Sequence, residues 1–286
     1  MKVSVIGAGF VSDHLFYNKI PNKIDFSSKL IGNMLDEHKP DVLINCVGKT
    51  GRPNVDWCEV NREITSITNT ALPIALAEQC AKKSIHLIHI GSGCIFFGDS
   101  PNKIPDRSSS IIIGDPPMKD CGWKETDFAN PKSFYSKTKY AADLALEGMS
   151  NVTVLRIRMP VSSVNHPRNL LNKLKGYQKV IDIPNSMTFM KDLTRCIDWV
   201  VKGSHMGIYH VTNPQPLSAA QIMSEYQKHV PSHTFSVISE SELDSLTIAK
   251  RSNCILNCEK LNSAGFFMTP AQEALAECMA EYVKNI

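Results

Sequence analysis

What the sequence lacks narrows it first. No apolar run approaches the roughly 20 residues needed to cross a bilayer, so no membrane partner is expected. The nine cysteines are odd in number and scattered, without a C-x-x-C pair. That pattern excludes a disulfide framework and a zinc site, and points to a reducing, cytoplasmic setting. Excess charge of one sign is missing too: the formal net charge is +3, too small to imply nucleic acid, although local basic pockets for phosphate are compatible with it. There is no internal repeat and no low-complexity tract. The N-terminal MKVSVIGAGF holds too short an apolar run for a signal peptide, and its glycines fit a turn better.

What is present is an ordinary globular composition, 43% hydrophobic and 21% charged over 286 residues, enough for a large core in a two-lobed unit. Val3-Ser4-Val5-Ile6 is a short apolar run ending in glycines. Asp41-Val42-Leu43-Ile44-Asn45 and Ile85-His86-Leu87-Ile88-His89-Ile90 read as buried strands, with a helical stretch from about Ile64 to Lys82 between them. Residues 132–149 read as a helix and Val152–Ile157 as the strand after it. This alternation predicts an α/β fold, a Rossmann-type doubly wound parallel sheet covered on both faces. Ligands of such sheets bind at the carboxyl ends of the strands. Regularity falls off after Pro160, so the expected division is a dinucleotide-binding domain over 1–160 and a mainly substrate-binding lobe over 161–286, some of whose segments return to the sheet. The Pro-, Ser- and Asp-rich stretch 99–131 is expected to be a long loop near the site.

Three fragments carry chemistry. Gly7-Ala8-Gly9-Phe10-Val11-Ser12 follows a strand and can open a helix, the setting in which backbone N–H groups approach a pyrophosphate. Ser12 replaces the usual third glycine. An ordinary strand–helix turn would read the same way. No acidic residue stands obviously at the end of a second strand to meet a ribose hydroxyl, and no arginine pair suits a 2′-phosphate, so NADPH and NADH both stay open. Tyr135 and Lys139, four apart, share one helix face, where a lysine beside a phenol would ease its ionisation and let it exchange protons. An exposed helix face gives the same pattern. With Ser92 at the end of a strand, however, they form a coherent set: Ser92 and Tyr135 polarise a carbonyl while Lys139 holds the nicotinamide ribose. Cys94 lies two residues beyond Ser92 and would point the same way on an extended segment; it reads either as a further acid/base or as a packed thiol. Cys46, Cys80, Cys196 and Cys278 read as packing residues. His86 and His89 read as strand residues with no nucleophile to serve.

At these residues the chain resembles the extended short-chain dehydrogenases/reductases of the dTDP-4-dehydrorhamnose reductase type, and within them the bifunctional 3,5-epimerase/4-reductases of UDP-rhamnose synthesis. The resemblance rests on Gly51-Arg52-Pro53-Asn54-Val55-Asp56-Trp57-Cys58-Glu59, Gly93-Cys94-Ile95-Phe96, Ser133-Phe134-Tyr135-Ser136-Lys137-Thr138-Lys139, Arg156-Ile157-Arg158-Met159-Pro160, Pro167-Arg168-Asn169, Ile183-Pro184-Asn185-Ser186-Met187-Thr188 and Arg251-Ser252-Asn253. These stretches run in order over nearly the whole chain. The resemblance implies UDP-4-keto-6-deoxyglucose as substrate, UDP-β-L-rhamnose as product, and Cys94 paired with a lysine a few residues beyond Pro-Arg-Asn, here Lys173, with Lys175 as the alternative. It further implies a cofactor site at Gly7, Gly9, Phe10, Val11, Asp25, Asn45 and Val47 together with Tyr135 and Lys139. Its substrate site would hold Arg52, Asn54, Trp57, Arg168, Asn169 and Arg251, and a homodimer is compatible with it.

Departures from the family pattern are the shorter glycine turn, Ser92 in place of threonine, Lys49 in place of an apolar residue, and a dissimilar 99–131 loop. UDP against dTDP stays open. So do two other readings, a reductase without epimerase activity and a non-catalytic regulatory subunit of the same fold.

Overall fold

The computed structural model describes residues 1–21, 27–106, 108 and 116–285. The first half alternates strand and helix: β1 (Val3–Ile6), α1 (Phe10–Asp13), β2 (Asn18–Ile20), α2 (Ser28–His38), β3 (Val42–Asn45), α3 (Asp56–Val60) and α4 (Arg62–Ser66). A wide π turn, Ile67–Ala71, carries α4 into α5 (Leu72–Lys82), which leads to β4 (His86–Ser92). A small antiparallel hairpin, β5 (Lys103–Pro105) and β6 (Met118–Asp120), precedes α6 (Phe134–Leu146) and β7 (Val152–Ile157). The segment after Gly9 opens a helix, as its pattern allows, but a short one. It forms a single helical turn, closed by Ser12 Oγ, which accepts from the Gly9 N–H at 2.9 Å.

After β7 come α7 (Leu170–Leu174), β8 (Lys179–Ile181), β9 (Asn185–Met187), α8 (Met190–Gly203), β10 (Gly207–His210), β11 (Asn213–Leu217), α9 (Ala219–His229), β12 (Ser236–Ile238), α10 (Glu240–Ser245), α11 (Glu259–Ser263) and α12 (Ala271–Tyr282). Six strands form one sheet in the order β10-β7-β4-β3-β1-β2, with every pairing parallel. The order reverses at β1, so a crevice opens between the carboxyl ends of β1 and β3, where α/β sheets bind ligands.

Side-chain alternation divides the sheet between two cores. Leu43, Leu87, Val152 and Val154 face α2, α5 and α6. Val42, Ile44, Ile88, Ile90, Leu155 and Ile157 face α8. The α8 helix meets them with Met190, Leu193, Cys196, Ile197, Val200 and Val201, the spacing of one helical stripe. Thus α8 and β10, although they follow residue 160, complete the sheet. A separate apolar core gathers α7, α9 and α12 around Leu171, Leu174, Ile222, Met223, Leu275 and Met279. A smaller cluster of Ile95, Phe96, Trp123, Cys254 and Leu256 lies beside the end of β4.

Candidate active site

Ser92 is the last residue of β4 and is buried; its Oγ accepts from Cys94 N at 3.2 Å, which leaves its own proton to donate. Gly93 between them is obligatory, because a Cβ there would lie 2.3 Å from Leu256 Cδ1 and 2.9 Å from Arg158 Cγ. The helix bearing Tyr135 is tied to this turn. Ser133 caps α6 by accepting from Ser136 N at 3.1 Å, and Ser136 Oγ donates to the Cys94 carbonyl at 2.6 Å. Hydroxyl and thiol therefore share one short turn, and a hydrogen bond ties it to the first turn of the helix that bears the phenol.

The direction of the Tyr135 shift corrects the expectation from its spacing to lysine. Burial pushes the phenol above its ordinary value, Cys94 adds to this, and the Ser92 hydroxyl pulls the other way. Lys139 is turned away: its Nζ lies 3.1 Å from His89 Nε2 and donates to the Ile90 carbonyl at 3.1 Å. Burial lowers the Lys139 value to about 8, with Asp143 opposing. Tyr135 is thus held as a phenol with its proton in place. His89, which the sequence gives no role, is fully buried and bridges Lys139 to Asn45, whose Nδ2 lies 3.0 Å from His89 Nδ1. The only signal for it in the sequence is strand parity, which puts residues 87, 89 and 91 of β4 on the α6 side of the sheet.

Lys173 projects from α7, half-buried, within electrostatic reach of Cys94, Arg168 and Arg251. Burial lowers its proton affinity, Arg168 and Arg251 lower it further, and Cys94 opposes them. Lys175 does not share this position; its ammonium sits 5.5 Å from the Tyr282 ring centroid. Arg251 is engaged by Asp56 through two contacts of 2.8 and 3.2 Å. Burial tends to raise the Asp56 carboxyl, but the Arg251 bonds outweigh it and hold the carboxyl below its ordinary value. Arg168 reaches Thr50 Oγ1 at 3.3 Å. Arg52 is exposed in a loop whose Gly51, at φ +73°, would clash with Trp57 if it bore a side chain. Asn54 accepts from Asp56 N at 2.8 Å, and Trp57 lies half-buried beneath the exposed Lys49 ammonium, 6.0 Å from the ring centroid.

Asn169 is corrected. It is fully buried as the N-cap of α7, accepting from Ser162 N and Leu171 N and donating to the Ser162 and Val164 carbonyls, so no polar atom is left for a substrate. Phe10 is corrected as well: its ring is buried and stacked on His166 at 5.1 Å, which leaves only its backbone toward the crevice. Asp25 lies outside the described residues. Cys46, Cys80, Cys196 and Cys278 have their thiols pushed up to about 12 by burial, as packing residues should.

The crevice fits a dinucleotide. Gly7 has φ +111°, and a Cβ there would lie 2.8 Å from the Cys46 carbonyl carbon, so glycine lets β1 end flush against the loop after β3. In front of Gly9 no atom lies within 4 Å of where a Cβ would be. Lys139 is bonded to the Ile90 carbonyl of β4, two strands along the same sheet from β1. Val47 spends its N–H on Asn45 Oδ1 at 2.9 Å, and half-buried Val11 borders the same turn.

Residues 19–284 match the family described as RmlD substrate binding domain. A bifunctional dTDP-4-dehydrorhamnose 3,5-epimerase/dTDP-4-dehydrorhamnose reductase of Arabidopsis thaliana is 37% identical over 250 residues, 86% of this chain and 79% of that protein. A trifunctional Arabidopsis thaliana enzyme, UDP-glucose 4,6-dehydratase/UDP-4-keto-6-deoxy-D-glucose 3,5-epimerase/UDP-4-keto-L-rhamnose-reductase, is 35% identical over 86% of this chain, which spans 35% of its length. Among solved structures, the L780 UDP-rhamnose synthase of Acanthamoeba polyphaga mimivirus superposes with a TM-score of 0.85 at 25% identity, covering 98% of this chain and 99% of that one. A dTDP-4-dehydrorhamnose reductase of Bacillus anthracis in complex with NADP shares the fold, with a TM-score of 0.79 at 20% identity over 98% of this chain and 99% of that one.

Proposed function

The chain belongs to the RmlD substrate binding domain family, and on that footing we propose that it is an NAD(P)H-dependent nucleotide-sugar reductase that also epimerises its substrate. In this reading it converts UDP-4-keto-6-deoxyglucose to UDP-β-L-rhamnose. The observation that supports the second activity is that Lys173 on α7 lies within electrostatic reach of Cys94, which sits on the turn after Ser92 and is bonded to the helix bearing Tyr135.

Gly7, Gly9, the Phe10 and Val11 backbone, Asn45 and Lys139 would hold the dinucleotide, which when bound supplies the hydride that reduces C4. The C4 ketone acidifies the protons on C3 and C5. Cys94 and Lys173 remove a proton from one face and return one to the other, and the lowered proton affinity of Lys173 makes it a readier proton donor than a free lysine. The Ser92 and Tyr135 hydroxyls donate to the enolate oxygen as charge develops there. Tyr135, a phenol by virtue of its burial, then protonates O4. Arg168 has guanidinium N–H groups beyond its single bond to Thr50 to offer a diphosphate. Arg251, already paired, steadies Asp56 at the start of α3 and hence Trp57. The core formed by α7, α9 and α12 serves as the substrate lobe in this reading.

Product analysis by NMR with UDP- and dTDP-4-keto-6-deoxyglucose, each with NADH and NADPH, tests the assignment. Rhamnose formation from either 4-keto-6-deoxyglucose nucleotide is expected. Turnover confined to an already epimerised sugar would reduce the enzyme to a plain reductase. Cys94→Ser should abolish solvent deuterium uptake at C3 or C5 with NAD(P)H binding intact. Tyr135→Phe should retain part of the exchange, through the Ser92 hydroxyl, while cofactor oxidation falls by about 100-fold or more.

A further inference from the structure

We propose that His89 is a positioning residue which sets how readily Lys139 accepts a proton, by changing its own tautomer when Lys139 does. The inference rests on the reductase reading, in which Lys139 works beside the cofactor, and it follows from counting donors along one buried chain. The Val47 N–H donates to Asn45 Oδ1 at 2.9 Å, and this fixes the orientation of the amide. Asn45 Nδ2 therefore donates to His89 Nδ1 at 3.0 Å. A neutral imidazole that accepts at Nδ1 carries its proton on Nε2, and Nε2 lies 3.1 Å from Lys139 Nζ. A neutral amine satisfies every group: its lone pair takes the Nε2 proton and one of its hydrogens goes to the Ile90 carbonyl.

An ammonium has no lone pair for that proton. For Lys139 to be charged, His89 must hand its Nε2 proton to Nζ and take one at Nδ1, so the pair gains one proton in all. Nδ1–H then confronts the Asn45 amide, which the Val47 bond keeps from turning. The buried chain thus penalises the charged lysine beyond the cost of burial. Asn45 and His89 face each other as register partners on adjacent strands, with no residue between them for relief.

The other charged groups act from a distance. On α6 itself, Asp143 favours the ammonium; its Oδ2 is bonded by Arg156 of β7 at 2.8 Å, while its buried Oδ1 has no hydrogen-bond partner among the described residues and reaches no bond to Lys139. Burial holds Tyr135, one turn before Lys139, and the Cys58 thiol of α3 above their ordinary values, so neither supplies a charge. From β3 only the uncharged Asn45 faces the pair. His89 itself is kept uncharged by burial and by Lys139.

The test reads both proton sites directly in the full chain without ligand. In 15N-histidine and 13C-lysine labelled protein, His89 should show the Nε2–H pattern at high pH. It should pass to Nδ1–H as pH falls, with the same midpoint as the Lys139 ε-carbon. Asn45→Asp supplies an acceptor for Nδ1–H, so it should raise the Lys139 midpoint by about one pH unit or more, with the corresponding limb of the kcat profile moving along. His89→Gln, whose amide can turn its oxygen to Lys139, should raise it as well and covers the case in which Asn45→Asp does not fold. A His89 tautomer that stays constant while Lys139 titrates overturns the proposal, and so does a midpoint that stays put in the folded variants. Absence of turnover with any nucleotide sugar would sink the reductase reading alone, since the NMR titration judges His89 separately.

Discussion

Lys139 concentrates the electrostatic tension of the site in one side chain. Its folded value of about 8 lies below the ordinary 10.5, so between those values the unfolded chain keeps a proton that the native chain has shed. Stability therefore rises with pH across that window, and below it the buried ammonium exacts its full cost. Relative to Lys139→Met, the protein should gain on the order of 3 kcal/mol between pH 8 and 10.5, measured by urea unfolding at several pH values. A flat difference would mean that the lysine is not desolvated. The same residue shows how far sequence goes at this scale. Spacing put Tyr135 and Lys139 on one face, and they are on one face. Spacing could not show that the ammonium turns to His89 and leaves the phenol above its ordinary value, because that depends on a residue 50 positions earlier.

At the scale of elements, α7 shows a binding residue in sequence becoming a structural one in space. Asn169 looks like a substrate contact because it follows Pro-Arg, but its side chain is consumed in closing the turn from Ser162 and starting α7. In the proposed reaction its effect on chemistry would run through Lys173, four residues on. Asn169→Ala should cost about 1–3 kcal/mol through the lost cap and orphaned carbonyls. It should also slow C3/C5 deuterium exchange more than it weakens NAD(P)H binding. Equal losses in both would show that α7 has no special bearing on the epimerisation pair. The strands were legible at this scale because alternation and β-branched runs are local: β1 and β7 have the bounds that their residues imply. The helix expected after Gly9 forms but lasts a single turn, Phe10–Asp13, and its length could not be read from the glycine pattern. The π turn at Ile67–Ala71 left no mark in the periodicity, for a helix with one widened turn keeps nearly the same apolar face.

For the molecule as a whole, Arg158 is the tie between the sheet and the second core. Buried just past β7, it donates to the Ser186 carbonyl, Ser252 and Asn185, and so ties two distant stretches of chain to its own. None of these partners is a carboxylate, so the arrangement is held by hydrogen bonds around a buried charge and not by an ion pair. Arg158→Met would leave several buried acceptors without donors and should cost about 3 kcal/mol or more. It should also broaden the denaturant transition as the two cores lose their coupling. A sharp transition at unchanged midpoint would show that they cohere without it.

The Ser136 bond to the Cys94 carbonyl has a mechanical consequence. It makes the thiol and the phenol rigid fixtures of one frame, whereas Lys173 is mounted on the other. Any hinge-like breathing between the frames would alter the gap between the two proton-exchanging groups and leave the reducing pair at constant spacing. In the proposed reaction, closure would then act as a clutch, engaging epimerisation only when the sugar bridges both frames, while reduction stays in gear throughout.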